Sequence, residues 1–217
     1  MTGFLIYIRV MIFHKYKLLF VGIPKNGSMS VSETLMPNSN NSAHSHATIK
    51  QLLVNNPETS DYYKATIKRN PYVRALSAYT MMSGKCKTLK EKIKIVFDQH
   101  CSFVPSSIFV NQPNSAVVNY HYENKMETVF IPQYYYIINN NKMVMDEILC
   151  LENIEQDWTK FSSKFTDMPT SLKLVNKTPI RDCENEWQSY YDSETIEMVN
   201  YLYKYDFELL DYPILQP

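Results

Sequence analysis

The stretch that decides the fold is FVGIPKNGSMSVSETLM, residues Phe20–Met36. It begins with an apolar segment, passes through a Pro-Lys turn, a glycine and several small polar residues, and ends in a pattern that favours a helix. A strand, a small-residue loop and a helix often form an anion site, because the first N–H groups of a helix have no acceptor within it. The order is not the GxxxxGKS/T of a Walker A loop, so this stretch alone does not identify the phosphate that it would bind.

Several residues of this loop suit an anion. Gly27 permits a positive φ or a close approach of the backbone to a ligand. Ser28 and Ser30 offer hydroxyl donors, and Lys25 offers a point charge. A loop of this kind is equally typical of a strand–turn–helix with a purely structural role, so the rest of the chain has to decide between the two.

Strands and helices alternate along the rest of the chain. The apolar runs LLFVGI, YKATIK and EILCLE predict strands, the first of them buried on both faces. Helices are predicted over ATIKQLLVN, NPYVRALSAYTMM, TLKEKIKIVFDQH and EQDWTKF, and a single late helix over SETIEMVNYLYKYDF. Strand-like runs between residues 114 and 154 are broken by a turn at Asn139–Asn141. The alternation predicts an α/β fold, with a central parallel sheet that has helices on both faces.

Composition limits the classes of function. The 217 residues carry 22 basic and 22 acidic side chains, so attraction to nucleic acid is not indicated. The apolar run at the amino terminus contains Arg9 and is shorter than the ~20 residues of a transmembrane helix, so we expect no membrane-spanning segment. Residues 1–16 are predicted to be an extension or an edge strand, and residues 17–217 a single domain. The four cysteines form no CxxC pair, which favours free thiols and indicates no metal site.

A second informative stretch is IKRNPYVRALSAY, residues Ile67–Tyr79. Arg69 follows a predicted strand, and Asn70 is placed to cap the next helix. Arg74 and Ser77 are three residues apart and share a helical face, where an arginine and a hydroxyl group can bind a phosphate. The alternative is an arginine that covers the edge of the sheet and a serine on a buried face.

Together, FVGIPKNGSMS and IKRNPYVRALSAY resemble the two motifs of sulfotransferases that use 3′-phosphoadenosine 5′-phosphosulfate (PAPS). The closer match is the carbohydrate sulfotransferase branch, whose members typically read like FVHIPKTGGTS and FVRNPYDRLLSAY. Looser similarity in IPQYYYI, ILCLENIEQDW and the carboxyl-terminal segment extends the resemblance over residues 17–212. The resemblance implies a P-loop-like sulfotransferase fold and an O-sulfotransferase that moves a sulfuryl group from PAPS to a carbohydrate hydroxyl.

The resemblance also implies the residues that bind PAPS. The 5′-phosphosulfate loop would consist of Lys25, Asn26, Gly27, Ser28, Met29 and Ser30. Arg69 and Ser77 would bind the 3′-phosphate, and Lys177 would add a further contact. Asn26 and Met29 stand where the pattern has threonine, and Ser28 stands where it has its second glycine. With Lys25 to stabilise the leaving group, no metal is needed.

The general base is expected just before the second helix. Similar enzymes often carry a histidine there, and HATI makes His46 the first candidate and His44 the second. The alternative for His46 is to cap a helix that begins near Ala47. Glu33 is a third candidate for the base. Gln133 is expected either to touch the acceptor or to brace the cleft.

Other functions stay open at this level. A P-loop kinase is disfavoured, because no Gly-Lys-Ser/Thr ends the loop and no obvious Mg²⁺-binding aspartate follows a strand. A binding protein of the same fold without activity is the non-enzymatic alternative, and a tyrosine or a small phenol is an alternative acceptor. We expect a cytoplasmic or otherwise soluble protein, with the Golgi lumen of similar animal enzymes as the alternative.

Overall fold

Six short strands form two sheets in the described part of the chain. The computed structural model describes residues 11–37, 46–81, 88–103, 128–175 and 187–217, with the backbone alone at 99–103 and 128. The strands are β1 (Met11–Phe13), β2 (Leu18–Val21), β3 (Tyr63–Lys68), β4 (Ile138–Asn139), β5 (Lys142–Met143) and β6 (Glu147–Cys150). The main sheet has the order β1-β2-β3-β6, and β4 and β5 form a hairpin. β2, β3 and β6 are parallel, whereas β1 is an antiparallel edge strand.

Helices cover the sheet. They are α1 (Ser28–Leu35), α2 (Ile49–Asn55), α3 (Pro71–Met81), α4 (Leu89–Phe103), α5 (Tyr134–Ile137), α6 (Ile154–Ser162), α7 (Ser193–Leu202) and α8 (Lys204–Leu210). Short 3-10 turns at His14–Tyr16, Pro57–Thr59, Thr128–Phe130, Leu151–Asn153 and Trp187–Tyr190 connect several of these elements. None of the helices in the described ranges is long and apolar enough to cross a membrane.

The central strand β2 is buried on both faces, as its continuous apolar sequence predicts. Leu18 and Phe20 pack on one face with α1 and α6, where Trp158 is fully buried. Leu19 and Val21 pack on the opposite face with α2 and α5. The predicted α/β class, with a parallel sheet between helices, is therefore confirmed.

Three local predictions differ from the structure, and a fourth, the turn at Asn139–Asn141, is confirmed. The predicted late helix is two helices, because it breaks at Tyr203, which is buried and separates α7 from α8. Part of the strand-like run after residue 130 is the helical turn α5. The predicted turn is present, since Asn140 and Asn141 have φ angles of 50° and 60° and connect β4 to β5. α2 begins at Ile49, two residues later than Ala47.

Parallel strands bring their carboxyl ends to the same edge of the sheet. The loop after β2, the Arg69–Asn70 turn after β3 and the Leu151–Asn153 turn after β6 therefore lie at one edge. In open α/β sheets ligands bind at this edge. The fold thus brings together the two sequence motifs, although about 40 residues separate them along the chain.

Candidate functional site

The loop after β2 has an unusual backbone. Lys25 and Gly27 adopt positive φ angles of 69° and 77°, and Gly27 is the N-cap of α1. A Cβ atom on Gly27 would lie 3.0 Å from Leu151 Cδ1, so a glycine also suits the close packing against the turn after β6. Ser30 N–H donates to the Gly27 carbonyl at 2.9 Å. The other N–H groups at the start of α1 have no acceptor within the helix, which suits this loop to an anion.

Lys25 is the cation of this loop. Its side chain is half-buried, and it forms no hydrogen bond or ion pair within the described residues. Burial lowers the pKa of the Lys25 ammonium, and the charges of Arg69 and Arg74 lower it further. Three cationic side chains close enough to influence one another make a strongly positive site, and an anionic ligand would relieve their repulsion.

Arg69 connects the strand end of β3 to the loop. Its side chain is buried, and Nη1 donates to the Lys25 carbonyl at 3.0 Å. Asn70 caps α3 as predicted, since its Oδ1 accepts from the N–H groups of Tyr72 and Val73 at 3.0 and 3.3 Å. Arg69 is therefore placed beside the start of α3 and against the backbone of Lys25.

Arg74 and Ser77 differ in their surroundings, although they share a helical face. The Arg74 guanidinium is fully buried and donates to the carbonyls of Pro24, Val129 and Ile131 at 3.2, 3.0 and 2.7 Å. Nε and Nη2 of Arg74 therefore serve the backbone, which argues against a phosphate bound by Arg74 together with Ser77. Ser77 Oγ is buried and has no hydrogen-bond partner among the residues that the structure describes.

Asn26 turns its side chain into the interior and is 1% exposed. Its Nδ2 donates to the Ile67 carbonyl at 2.7 Å and to Gln133 Oε1 at 2.6 Å. Its backbone N–H donates to the Ile23 carbonyl at 3.3 Å. Asn26 thus connects the loop with β3 and with the start of α5, and its donor groups are already in use.

Sequence reasoning named Gln133 but missed its buried partner Asp206. Gln133 is fully buried, which favours the bracing role over contact with an acceptor. Asp206 accepts from the backbone N–H groups of Gln133 and Tyr134, each at 2.8 Å. Burial raises the pKa of the Asp206 carboxyl, whereas the charge of Arg74 and these hydrogen bonds oppose that rise. The sequence carried a clue, because Asp206 lies between Tyr203 and Leu210 on an otherwise apolar helical face.

The remaining cofactor candidates lie in and around α1. Ser28 is buried, Met29 is half-buried and Ser30 is buried. Ser30 Oγ accepts from the Val175 N–H at 3.1 Å, so its hydroxyl proton is available to another acceptor. Lys177 lies outside the described residues, and the described chain before it ends at Val175, beside Ser30.

His46 contacts the segment between β2 and α1. Its Nδ1 lies 2.8 Å from the carbonyl oxygen of Gly22, the residue that follows β2. Thr48 is the N-cap of α2 and forms a capping box with Gln51, so the suggestion that His46 caps this helix is wrong. His44 lies outside the described residues.

Glu33, the third candidate for the base, points towards Lys173. The two charged groups are 3.7 Å apart, and both side chains are more than one-third exposed. No cluster of histidine, cysteine and carboxylate side chains suitable for a metal ion occurs in the described part of the chain.

A family model described as the sulfotransferase family matches residues 9–213. The chain belongs to the sulfotransferase family. Its central parallel sheet with flanking helices is consistent with the fold of that family. A search of curated proteins and a search of solved structures each gave no match. The family supports sulfuryl transfer as the general reaction of this protein.

The backbone of the loop predicts opposite effects for two substitutions. A left-handed conformation costs an L-residue about 1–2 kcal/mol, and glycine in a folded chain costs about 0.5–1 kcal/mol. Lys25→Gly should therefore leave the free energy of unfolding unchanged or raise it by up to about 1.5 kcal/mol, whereas Gly27→Ala should lower it by about 1–2 kcal/mol. Urea denaturation measures both, and a loss of stability in Lys25→Gly as large as that in Gly27→Ala would contradict the strain at Lys25.

Proposed function

We propose that this protein is a PAPS-dependent O-sulfotransferase that acts on a carbohydrate hydroxyl. The observation that carries the proposal is the contact between its two motifs. Arg69 of the second motif donates to the backbone of Lys25 in the first, at the carboxyl edge of a parallel sheet. Two cationic sites on adjacent strand ends suit a nucleotide with two separate phosphate groups better than they suit a single triphosphate.

The residues present fit such a nucleotide. Lys25 is a half-buried ammonium without a partner in the described ranges, and Ser77 Oγ is buried without one. Buried polar atoms are nearly always hydrogen-bonded, so a phosphate oxygen would satisfy the Ser77 hydroxyl. The loop of Lys25 to Ser30 would hold the 5′ end, and Arg69 and Ser77 the 3′-phosphate, with Lys177 as a further contact. PAPS would supply an activated sulfuryl group with the 5′-phosphate as its leaving group.

Lys25 would stabilise the leaving group. Negative charge grows on the leaving oxygen in an in-line displacement, and a preorganised cation in a water-poor site stabilises that charge. The first N–H groups of α1 and the hydroxyl of Ser30 would add neutral donors. Arg69, whose side chain is buried against the Lys25 carbonyl, would keep the loop at a fixed distance from the 3′ site.

His46 would be the general base. When Nδ1–H donates to the Gly22 carbonyl, the proton is on Nδ1 and the lone pair is on Nε2. This tautomer is the one that accepts a proton at Nε2 from an acceptor hydroxyl. Gly22 and the loop of Lys25 to Ser30 belong to the same short segment between β2 and α1, so this segment would orient both the ring and the sulfuryl donor.

The carbohydrate acceptor is supported by the resemblance of the two motifs to the carbohydrate branch. A tyrosine or a small phenol is the rival acceptor, and incubation with labelled PAPS and separate glycan, peptide and phenol panels distinguishes them. Incorporation of label only into the phenol or peptide panel would overturn the carbohydrate assignment without affecting sulfuryl transfer.

Nucleotide binding provides the first test. Adenosine 3′,5′-bisphosphate (PAP), the product of PAPS, should raise the melting temperature of the protein, because ligands that bind only the folded state stabilise it. ATP with Mg²⁺ should raise it less. Thermal-shift titrations with both ligands make the measurement, and stabilisation by ATP-Mg²⁺ alone would identify a kinase-like protein instead.

The lowered pKa of Lys25 predicts how PAP binding depends on pH. An anion favours the charged ammonium, so binding of PAP should raise this pKa again and take up a proton. Affinity should therefore fall as the pH rises through the pKa of the free protein, and this fall should begin at a lower pH than for an ordinary lysine. Calorimetric titrations from about pH 7 to about pH 10 measure the fall.

Lys25→Arg is the control for this pH dependence, because a guanidinium stays charged over the whole range. The affinity of this variant should change much less with pH. An equally steep fall in Lys25→Arg and in the native protein would show that another group titrates.

The role of His46 predicts a separation of chemistry from binding. His46→Ala should lower kcat about 10²–10⁴-fold, the usual contribution of a general base, and leave the affinity for PAP within about twofold. His14→Ala is the matched control, because His14 is an exposed histidine that precedes β2, at the opposite end of that strand from the loop. Steady-state kinetics, with an acceptor that the labelled-PAPS panels identify, measure both variants. Full activity of His46→Ala would exclude His46 as the base.

A further inference from the structure

The side-chain amide of Gln133 lies between the two motifs. Its Oε1 accepts from Asn26 Nδ2 at 2.6 Å and from the Arg69 backbone N–H at 3.0 Å. Its Nε2 donates to the Arg69 carbonyl at 2.8 Å. One buried amide thus binds the loop of the first motif and both backbone polar groups of Arg69 in the second.

Asn26 provides the connection from the side of the loop. Besides its bond to Gln133, Nδ2 donates to the carbonyl of Ile67, two residues before Arg69 on β3. One bond reaches β3 directly, and the other reaches the Arg69 backbone through Gln133. The separation between Lys25 and Arg69 is therefore fixed by buried hydrogen bonds within the protein.

Asp206 fixes the orientation of the Gln133 amide. Its Oδ2 accepts from the Gln133 backbone N–H at 2.8 Å and from Nε2 at 3.3 Å. A reversed amide would place an oxygen against the Asp206 carboxylate and the Arg69 carbonyl, and an NH₂ group against two donors. Gln133 therefore has a single favourable orientation, and that orientation sets where Asn26 and Arg69 lie.

We propose that Asn26 and Gln133 are a pair of positioning residues, which set the spacing between the 5′ and 3′ phosphate sites so that one nucleotide fills both. The inference rests on the proposed function, because it takes Arg69 and the Lys25 loop as the two phosphate sites. Two linked groups on one ligand bind together tightly only when the spacing of their sites matches the linker. A change in that spacing weakens the joint binding and leaves each single site nearly intact.

Loss of the positioning pair should change the affinities for nucleotides in a way that a general loss of stability does not. PAP carries both phosphates, whereas 5′-AMP and 3′-AMP carry one each. Loss of the positioning pair should weaken PAP at least about tenfold and weaken either monophosphate by no more than about twofold. A variant that merely lowers the folded fraction weakens all three nucleotides by the same factor.

The experiment measures dissociation constants for PAP, 5′-AMP and 3′-AMP by calorimetry. The variants are Asn26→Ala, Gln133→Ala and the double variant, with Gln133→Met as a replacement that keeps the volume of a buried side chain. Because the two residues share a hydrogen bond, the double variant should weaken PAP about as much as one single variant does. Asn26→Ala leaves the bonds of Gln133 to Arg69 and Asp206 in place, so it is the mildest change to the fold.

Thr59→Val is the matched control. Thr59 is fully buried, and its hydroxyl donates to the Asn56 carbonyl at 2.8 Å, in a turn outside both motifs. This variant also loses a buried hydrogen bond, but it should keep the native ratio of PAP to monophosphate affinity. Melting temperatures of all variants show how much stability each one loses.

Two results would overturn the inference. The first is an unchanged affinity for PAP in the folded variants, and the second is an equal loss for PAP and both monophosphates. A native protein that binds PAP no more tightly than 5′-AMP would instead overturn the proposed function. The native protein and its variants therefore test the two proposals separately.

Discussion

A buried arginine, with no carboxylate bonded to it in the described part of the chain, constrains the whole site. The Arg74 guanidinium is fully buried, and a buried charge is costly unless hydrogen bonds replace its water. It obtains them from the carbonyls of Pro24, Val129 and Ile131, which lie in two separate segments. The loop before Lys25 and the segment before Gln133 are therefore held against α3.

The same charge acts on the site through space. Arg74 contributes to the lowered pKa of Lys25, and on the other side it opposes the rise in the pKa of the buried Asp206. Removal of Arg74 would leave Asp206 as a buried carboxylate without a nearby counter-charge, although its hydrogen bonds to Gln133 would stay. The Arg74 guanidinium beside the loop and the Asp206 carboxylate beneath Gln133 thus stabilise each other's charge.

The sequence was a good guide where a pattern depends on local physics. The apolar run of β2, the Asn70 cap and the turn at Asn140 and Asn141 each follow from short-range preferences, and each is found. The sequence was a poor guide where two residues of the same type have different hydrogen-bond partners. Arg69 follows a strand and Arg74 lies in the next helix, and both donate to backbone carbonyls, Arg69 to one and Arg74 to three. Their spacing in the sequence does not indicate this difference.

The sequence also failed to predict the buried polar contacts between distant segments. Gln133 and Asp206 are 73 residues apart, so no local pattern predicts that they meet. The break at Tyr203 belongs with this failure, because it begins the helix that carries Asp206 to Gln133. Local preference alone favours one continuous helix there, whereas the backbone of Tyr203 departs from helical geometry, with φ −112° and ψ 22°.

Asn26 shows how a departure from a family pattern can be compensated in the fold. In similar sequences the position after the Pro-Lys turn is typically threonine, whose hydroxyl has one proton to donate. The amide of Asn26 has two, and both are used, one for the Ile67 carbonyl and one for Gln133 Oε1. The exchange therefore replaces a small donor with a longer group that reaches the interior from the loop. A hydroxyl donor at this end of the loop is then left to Ser28 and Ser30, the next two serines along the chain.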